Sequence, residues 1–120
     1  MKKTSDSLEQ LRKQLHTFAN RRDWEQFHSP KNLSMALIAE AAELVEHFQW
    51  LTEKQSYSLD EKKHNEVRLE LADILIYLIR TADRLDIDLI QAAQDKIQIN
   101  EKRYPADKAS GSAARAEEYK

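Results

Sequence analysis

A chain of 120 residues sets a one-domain expectation, long enough to bury a core, although helical chains of this size often complete that core by association. Lys and Arg total 19 against 21 Asp and Glu, a formal net charge of −2, so no basic excess favours nucleic acid. The absence of cysteine excludes disulfide frameworks and thiolate metal sites, and one Gly with two Pro leaves too few turn residues for a sheet-rich domain.

The predicted elements are four helices, an all-α, four-helix bundle-like chain. The first spans residues 7–21, with Leu8, Leu11, Leu15 and Phe18 on one face and a capping box from Asp6 to Glu9. The second spans 33–52 behind Pro30, with Asn32 as its expected cap. The third spans 59–85, opened by a Ser58–Glu61 capping box. The fourth spans 88–104 and stops at Pro105, because a residue before proline avoids helical geometry. Residues 1–105 form the expected domain, and 106–120 a small, polar tail that is mobile or draped over a partner. The opening MKKTSDSLEQ lacks the apolar stretch of a signal peptide, and LADILIYLI is too short to span a bilayer. A soluble, cytoplasmic chain with no membrane and no nucleic-acid partner is expected.

The second helix carries IAEAAELVEHFQWL, with acids at Glu40, Glu43 and Glu46. Residues three apart on a helix are neighbours, and like charges there repel. At 100° per residue, Leu33, Leu37, Ala41, Leu44, Val45, Phe48 and Leu51 share a core-facing arc. Glu40, Glu43, His47 and Trp50 border that arc, while Glu46 turns toward water. The third helix repeats the device: Glu70 and Asp73 share a stripe with Glu66 and Tyr77, among leucines and isoleucines that point in nearly every direction. A helix apolar all round is expected to be buried all round, and unpaired carboxylates there cost several kcal/mol each, roughly.

Two explanations compete. Arg80, Arg84, Lys96 or Arg103 would neutralise the acids as ion pairs. Alternatively, two Glu-x-x-[Glu/Asp] pairs on consecutive antiparallel helices surround one point with carboxylates and hold a hard divalent cation, Mg²⁺ with Mn²⁺ as substitute. A di-iron bundle needs inward-facing Glu-x-x-His motifs. The strings from Glu25 to His28 and from Glu61 to His64 fall on a loop and on a polar opening turn, so they do not meet that need.

RDWEQFHSPKNLSMALIAEAAELVEHFQW, LELADILIYLIRTADRLDIDL and KIQINEKRYP together resemble the all-α nucleoside triphosphate pyrophosphohydrolases of the MazG superfamily, in particular the dCTP pyrophosphatase branch. The resemblance covers residues 11–105, and the ordered series Glu-x-x-Glu, Glu-x-x-Asp, Lys-x-x-x-Asn and Arg-Tyr-Pro is specific where a single acid pair is not. It implies hydrolysis of a nucleoside triphosphate to monophosphate and diphosphate, favouring deoxycytidine nucleotides and their modified forms, in a pool-sanitising role. It implies that Glu40, Glu43, Glu70 and Asp73 are the catalytic acids and the Mg²⁺ ligands. Lys96 and Asn100 would then contact triphosphate or sugar, with Arg103 a weaker candidate.

The base needs a flat, partly apolar slot, for which Trp24, His28 and Trp50 are the candidates, with Tyr77 toward the sugar. Without the resemblance, both tryptophans read as core fillers and the Lys96 edge as a solvated helix face. His16 stands near a family histidine but one residue out of register, and is left out of the site. The apolar surface of the third helix exceeds what one small bundle covers, so a homodimer or homotetramer is expected, with a pocket completed by a second chain. A helical interaction module, or a nucleotide binder without turnover, is the alternative.

Overall fold

The local signals place helix ends before any packing is considered. The computed structural model describes the backbone of residues 4–119, and side chains from residue 7 onward. Helix α1 (Thr4–Arg21) begins ahead of Asp6, and the capping contact expected of that side chain lies outside the described residues. Helix α2 (Pro30–Glu46) starts at Ser29, not Asn32: Ser29 is extended, its side chain accepts from Asn32 N–H, and Pro30 occupies the first helical position.

Two further boundaries depart from expectation. Helix α2 stops at Glu46 and 47–50 form turns, because Thr52 is extended and opens a short helix α3 (Glu53–Ser56) through a Thr52–Gln55 capping box. Helix α4 (Glu61–Arg84) is capped by Asp60, whose carboxylate accepts from Lys63 N–H at 2.7 Å, rather than by Ser58. A carboxylate is favoured over a hydroxyl at the positive end of a helix dipole. Helices α5 (Leu89–Arg103) and α6 (Ala106–Ala109) complete the chain, with Asp88 capping α5 through Gln91 N–H. The described residues contain no strand, and none of their helices is long and apolar enough to cross a membrane.

Helices α1 and α4 end in the same way, without glycine. Asp23 and Asp86 adopt positive φ, 53° and 54°. In each case the next residue's N–H reaches five back, Trp24 to the Ala19 carbonyl and Ile87 to the Ala82 carbonyl, both at 2.9 Å. These are Schellman closures, with aspartate tolerating the left-handed position. The first of them throws Trp24 and a 3-10 turn, Glu25–Phe27, off the end of α1.

The chain divides into two compact units, Met1–Ile87 and Asp88–Lys120. In the first, α2 and α1 both pack on α4, around a small core of Ala19, Leu33, Val67, Ile79 and Ala82. In the second, the Tyr104 and Tyr119 rings meet edge to face at 5.7 Å, so the tail returns to the end of α5. The all-round burial expected of α4 is not met within one chain: Leu71 is 51% exposed and Leu69, Leu75 and Leu78 are exposed too. Met35, Ile38 and Val45 of α2 are likewise open, Val45 despite its place in the core-facing arc. Two helices packed on a third leave uncovered whatever apolar surface points away from the contacts.

Candidate metal centre

Helix α2 presents Glu40 and Glu43 one turn apart, and α4, packed on it, presents Glu70. Carboxylate oxygens of these three lie within 4.8 Å of one another. One oxygen each of Glu40 and Glu70 is buried without a hydrogen-bond partner. Hydrogen bonding to Glu70, burial and the nearby Glu43 push the Glu40 carboxyl up to about 8. Three acids crowded in this way raise the local cost of ionisation, and a cation would relieve it.

Neither of the expected alternative cations from α4 serves these acids. Arg80 pairs with Glu25 and Asp83, and Arg84 with Glu25. Glu66 and His47, from the same stripes, are taken up with Lys63, whose Nζ lies 3.2 Å from Glu66 and 3.3 Å from His47 Nδ1. Glu46 is exposed, as its angle on the helix required. The donor set suits a hard divalent ion: oxygen ligands only, two of them orphaned, on two rigid helices.

Asp73 is not part of this set. It lies one turn beyond Glu70, exposed. The Glu-x-x-His strings divide differently from a di-iron motif: Glu25 and His28 both clasp Arg80, while Glu61 and His64 are exposed.

The aromatic candidates are arranged as follows. Trp24 sits between Phe18, at 5.7 Å edge to face, and the His28 ring at 6.1 Å. Tyr77, two turns beyond Glu70 on α4, is half-buried. Trp50, on the turn after α2, is 86% exposed. Lys96 is exposed and Asn100 half-buried on α5 of the second unit, where Arg103 faces Glu117 at 4.0 Å.

A family model for MazG-like proteins matches residues 36–118, which takes in the acid-bearing part of α2 and the whole of α4. The chain belongs to the MazG-like family. This MazG-like chain is 43% identical to mouse (Mus musculus) dCTP pyrophosphatase 1 over 111 residues, which is 91% of the chain and 65% of the mouse protein. It is 44% identical to human (Homo sapiens) dCTP pyrophosphatase 1, over 89% of the chain and 64% of the human protein. The chain thus spans just under two thirds of the length of these relatives. A crystal structure of a pyrophosphatase from Archaeoglobus fulgidus superposes with a TM-score of 0.78 at 38% identity, covering 82% of this chain and 93% of that one.

Sequence reasoning did not foresee the network around Arg80. Arg80, Asp83 and Arg84 stand three and four apart on α4, a spacing that signals one shared face, but their partners come from α1 and the Trp24 loop. His16, left outside the site, lies at the edge of this network, 3.7 Å from both Glu25 and Asp83.

Proposed function

We propose that this chain is a Mg²⁺-dependent nucleoside triphosphate pyrophosphohydrolase, converting a deoxynucleoside triphosphate and water to the monophosphate and diphosphate, with dCTP or modified dCTP favoured. One observation carries the reading: Glu40, Glu43 and Glu70 converge from two packed helices, Glu40 and Glu70 each with a buried, partnerless oxygen and Glu43 exposed beside them. The likeness to dCTP pyrophosphatases and to an archaeal pyrophosphatase supports it.

Glu40, Glu43 and Glu70 would hold Mg²⁺ or Mn²⁺, with Asp73 reaching in as a fourth ligand. The bound ion supplies charge neutralisation to the triphosphate. The rest falls to the chain. A carboxylate at the cluster takes the proton of the attacking water. Trp24 and Trp50 offer ring faces to the base, His28 reads its edge, and Tyr77 faces the sugar. Lys96 and Asn100 contact the triphosphate or sugar. Residues 1–105 carry this domain, and the role is sanitising the cytoplasmic precursor pool.

The test is a panel of dCTP, 5-substituted dCTP, dUTP and dTTP, assayed for diphosphate release with Mg²⁺ and with Mn²⁺. Equimolar monophosphate and diphosphate, fastest from the cytosine nucleotides, is the expected result. Release of inorganic phosphate would contradict the reaction. No release and no response to metal would leave a helical interaction module as the better reading.

The site also calls for a second copy of the chain. Exposed apolar side chains on α2 and α4, with Trp50 open to solvent, fit a homodimer or homotetramer whose neighbour covers the helices and closes the base pocket. Light scattering after gel filtration should return a multiple of the 14.1 kDa chain mass. A single-chain mass at micromolar concentration would remove the shared pocket.

A further inference from the structure

Arg80 is the one buried charged side chain among the described residues, at 2% exposure. A buried guanidinium is tolerated only when its donors are satisfied, and here they are. Nη2 donates to Glu25 Oε1 at 2.9 Å and Nη1 to Asp83 Oδ2 at 3.0 Å. Nε and Nη2 both approach Nδ1 of His28 at 3.3 Å. Two further cations close the circle: Arg12 donates to Asp83, and Arg84 to both Glu25 and the His28 backbone carbonyl. His28 is therefore held twice, ring by Arg80 and main chain by Arg84.

The chemistry of that grip is one-sided. A guanidinium has donors and no acceptor, so Nδ1 of His28 must offer its lone pair. A neutral imidazole accepting at Nδ1 carries its hydrogen on Nε2. Placing a proton on Nδ1 would set an N–H against two guanidinium N–H groups. We propose that Arg80 is a positioning residue that locks His28 in the neutral Nε2–H form, so that the loop carrying Trp24 presents a permanent hydrogen-bond donor to an acceptor atom on the base edge. Burial, then the charges of Arg80 and Arg84, outweigh Glu25 and hold the His28 ring below its ordinary proton affinity. The other titratable groups near this network, His16, Asp83 and Arg12, sit beyond Glu25 and Arg80 rather than on the ring.

A fixed donor distinguishes bases. N3 of cytosine is an acceptor, whereas N3 of uracil and thymine carries hydrogen, so a donor aimed there favours cytosine, while one aimed at the shared 2-oxo group does not discriminate. The substrate half of the proposal rests on the pyrophosphohydrolase reading; the tautomer half does not.

Nitrogen-15 NMR of the imidazoles in the ligand-free full chain separates the two. The His28 signal, identified by its loss in His28→Gln, should show a protonated Nε2 and a bare Nδ1 at neutral pH and remain so below the ordinary histidine value of about 6.5. Arg80→Met should give a tautomer mixture that protonates at higher pH, and Arg80→Lys an intermediate state. A wild-type His28 found as the Nδ1–H form or as imidazolium at pH 7 would overturn the proposal. So would an Arg80→Met spectrum identical to wild type. If Arg80→Met does not fold, the wild-type spectrum alone decides. In kinetics, Arg80→Met should raise KM for dCTP about tenfold with kcat little changed, whereas an equal loss in kcat would assign Arg80 to general stability. Absence of any hydrolysis would sink the function while leaving the tautomer measurement to stand or fall by itself.

Discussion

Glu40→Gln is expected to lower kcat/KM for triphosphate hydrolysis by about 10²–10³-fold and, in the metal-free protein, to raise the melting temperature. Both effects have one cause. Glu40 has an orphaned buried oxygen and faces Glu43 and Glu70 at close range. Gln keeps the shape, is neutral without having to take up a proton on folding and supplies an amide that can donate to Glu70, so the metal-free fold gains. The same change removes a ligand oxygen from a site that works by concentrating negative charge. Steady-state diphosphate release and thermal melts in chelator measure the two effects. A variant with full activity, or one less stable than wild type in chelator, would contradict the assignment. Asp73→Asn is the useful comparison, since Asp73 lies outside the converged set and should weaken metal binding less.

The metal-free protein should also lose stability as pH rises from about 4.5 toward about 8. Glu40 is held up to about 8, from an ordinary 4.5, by hydrogen bonding with Glu70, by burial and by Glu43. Its folded form binds the proton more tightly than the unfolded chain does. The stabilisation is therefore complete below the unfolded value and is lost as pH climbs through the folded one. Mg²⁺ or Mn²⁺ should reverse the trend, because a bound cation stabilises the folded state while competing with the same proton. Calorimetry at pH 5 and pH 8, in chelator and in excess metal, should give the larger metal-induced rise in melting temperature at pH 8. Equal rises at both values would place any bound ion away from Glu40.

The acid pairs were legible because their spacing is a local matter. Glu40 and Glu43 share a stripe by helical geometry alone, and so do Glu70 and Tyr77. Helix ends were less legible. Thr52 and Asp60 won their capping positions through backbone conformations that compete with plausible neighbours, Asn32 losing to Ser29 and Ser58 to Asp60. Arg80 and Arg84 were within reach of the acid stripe on paper, yet Glu25 and His28, more than fifty residues earlier in the chain, claimed them.

The amino-acid order by itself determined an all-α chain with four principal helices, through scarce Gly and Pro and the helical period of its apolar residues, and it placed the acids on two helix faces. Only tertiary structure decided that Glu40, Glu43 and Glu70 meet while Asp73 stands apart, and that the buried arginine fastens the Trp24 loop. The physical reason is range: helix period and capping act over three or four residues, whereas the rotation of one helix against another sets which side chains share a charge.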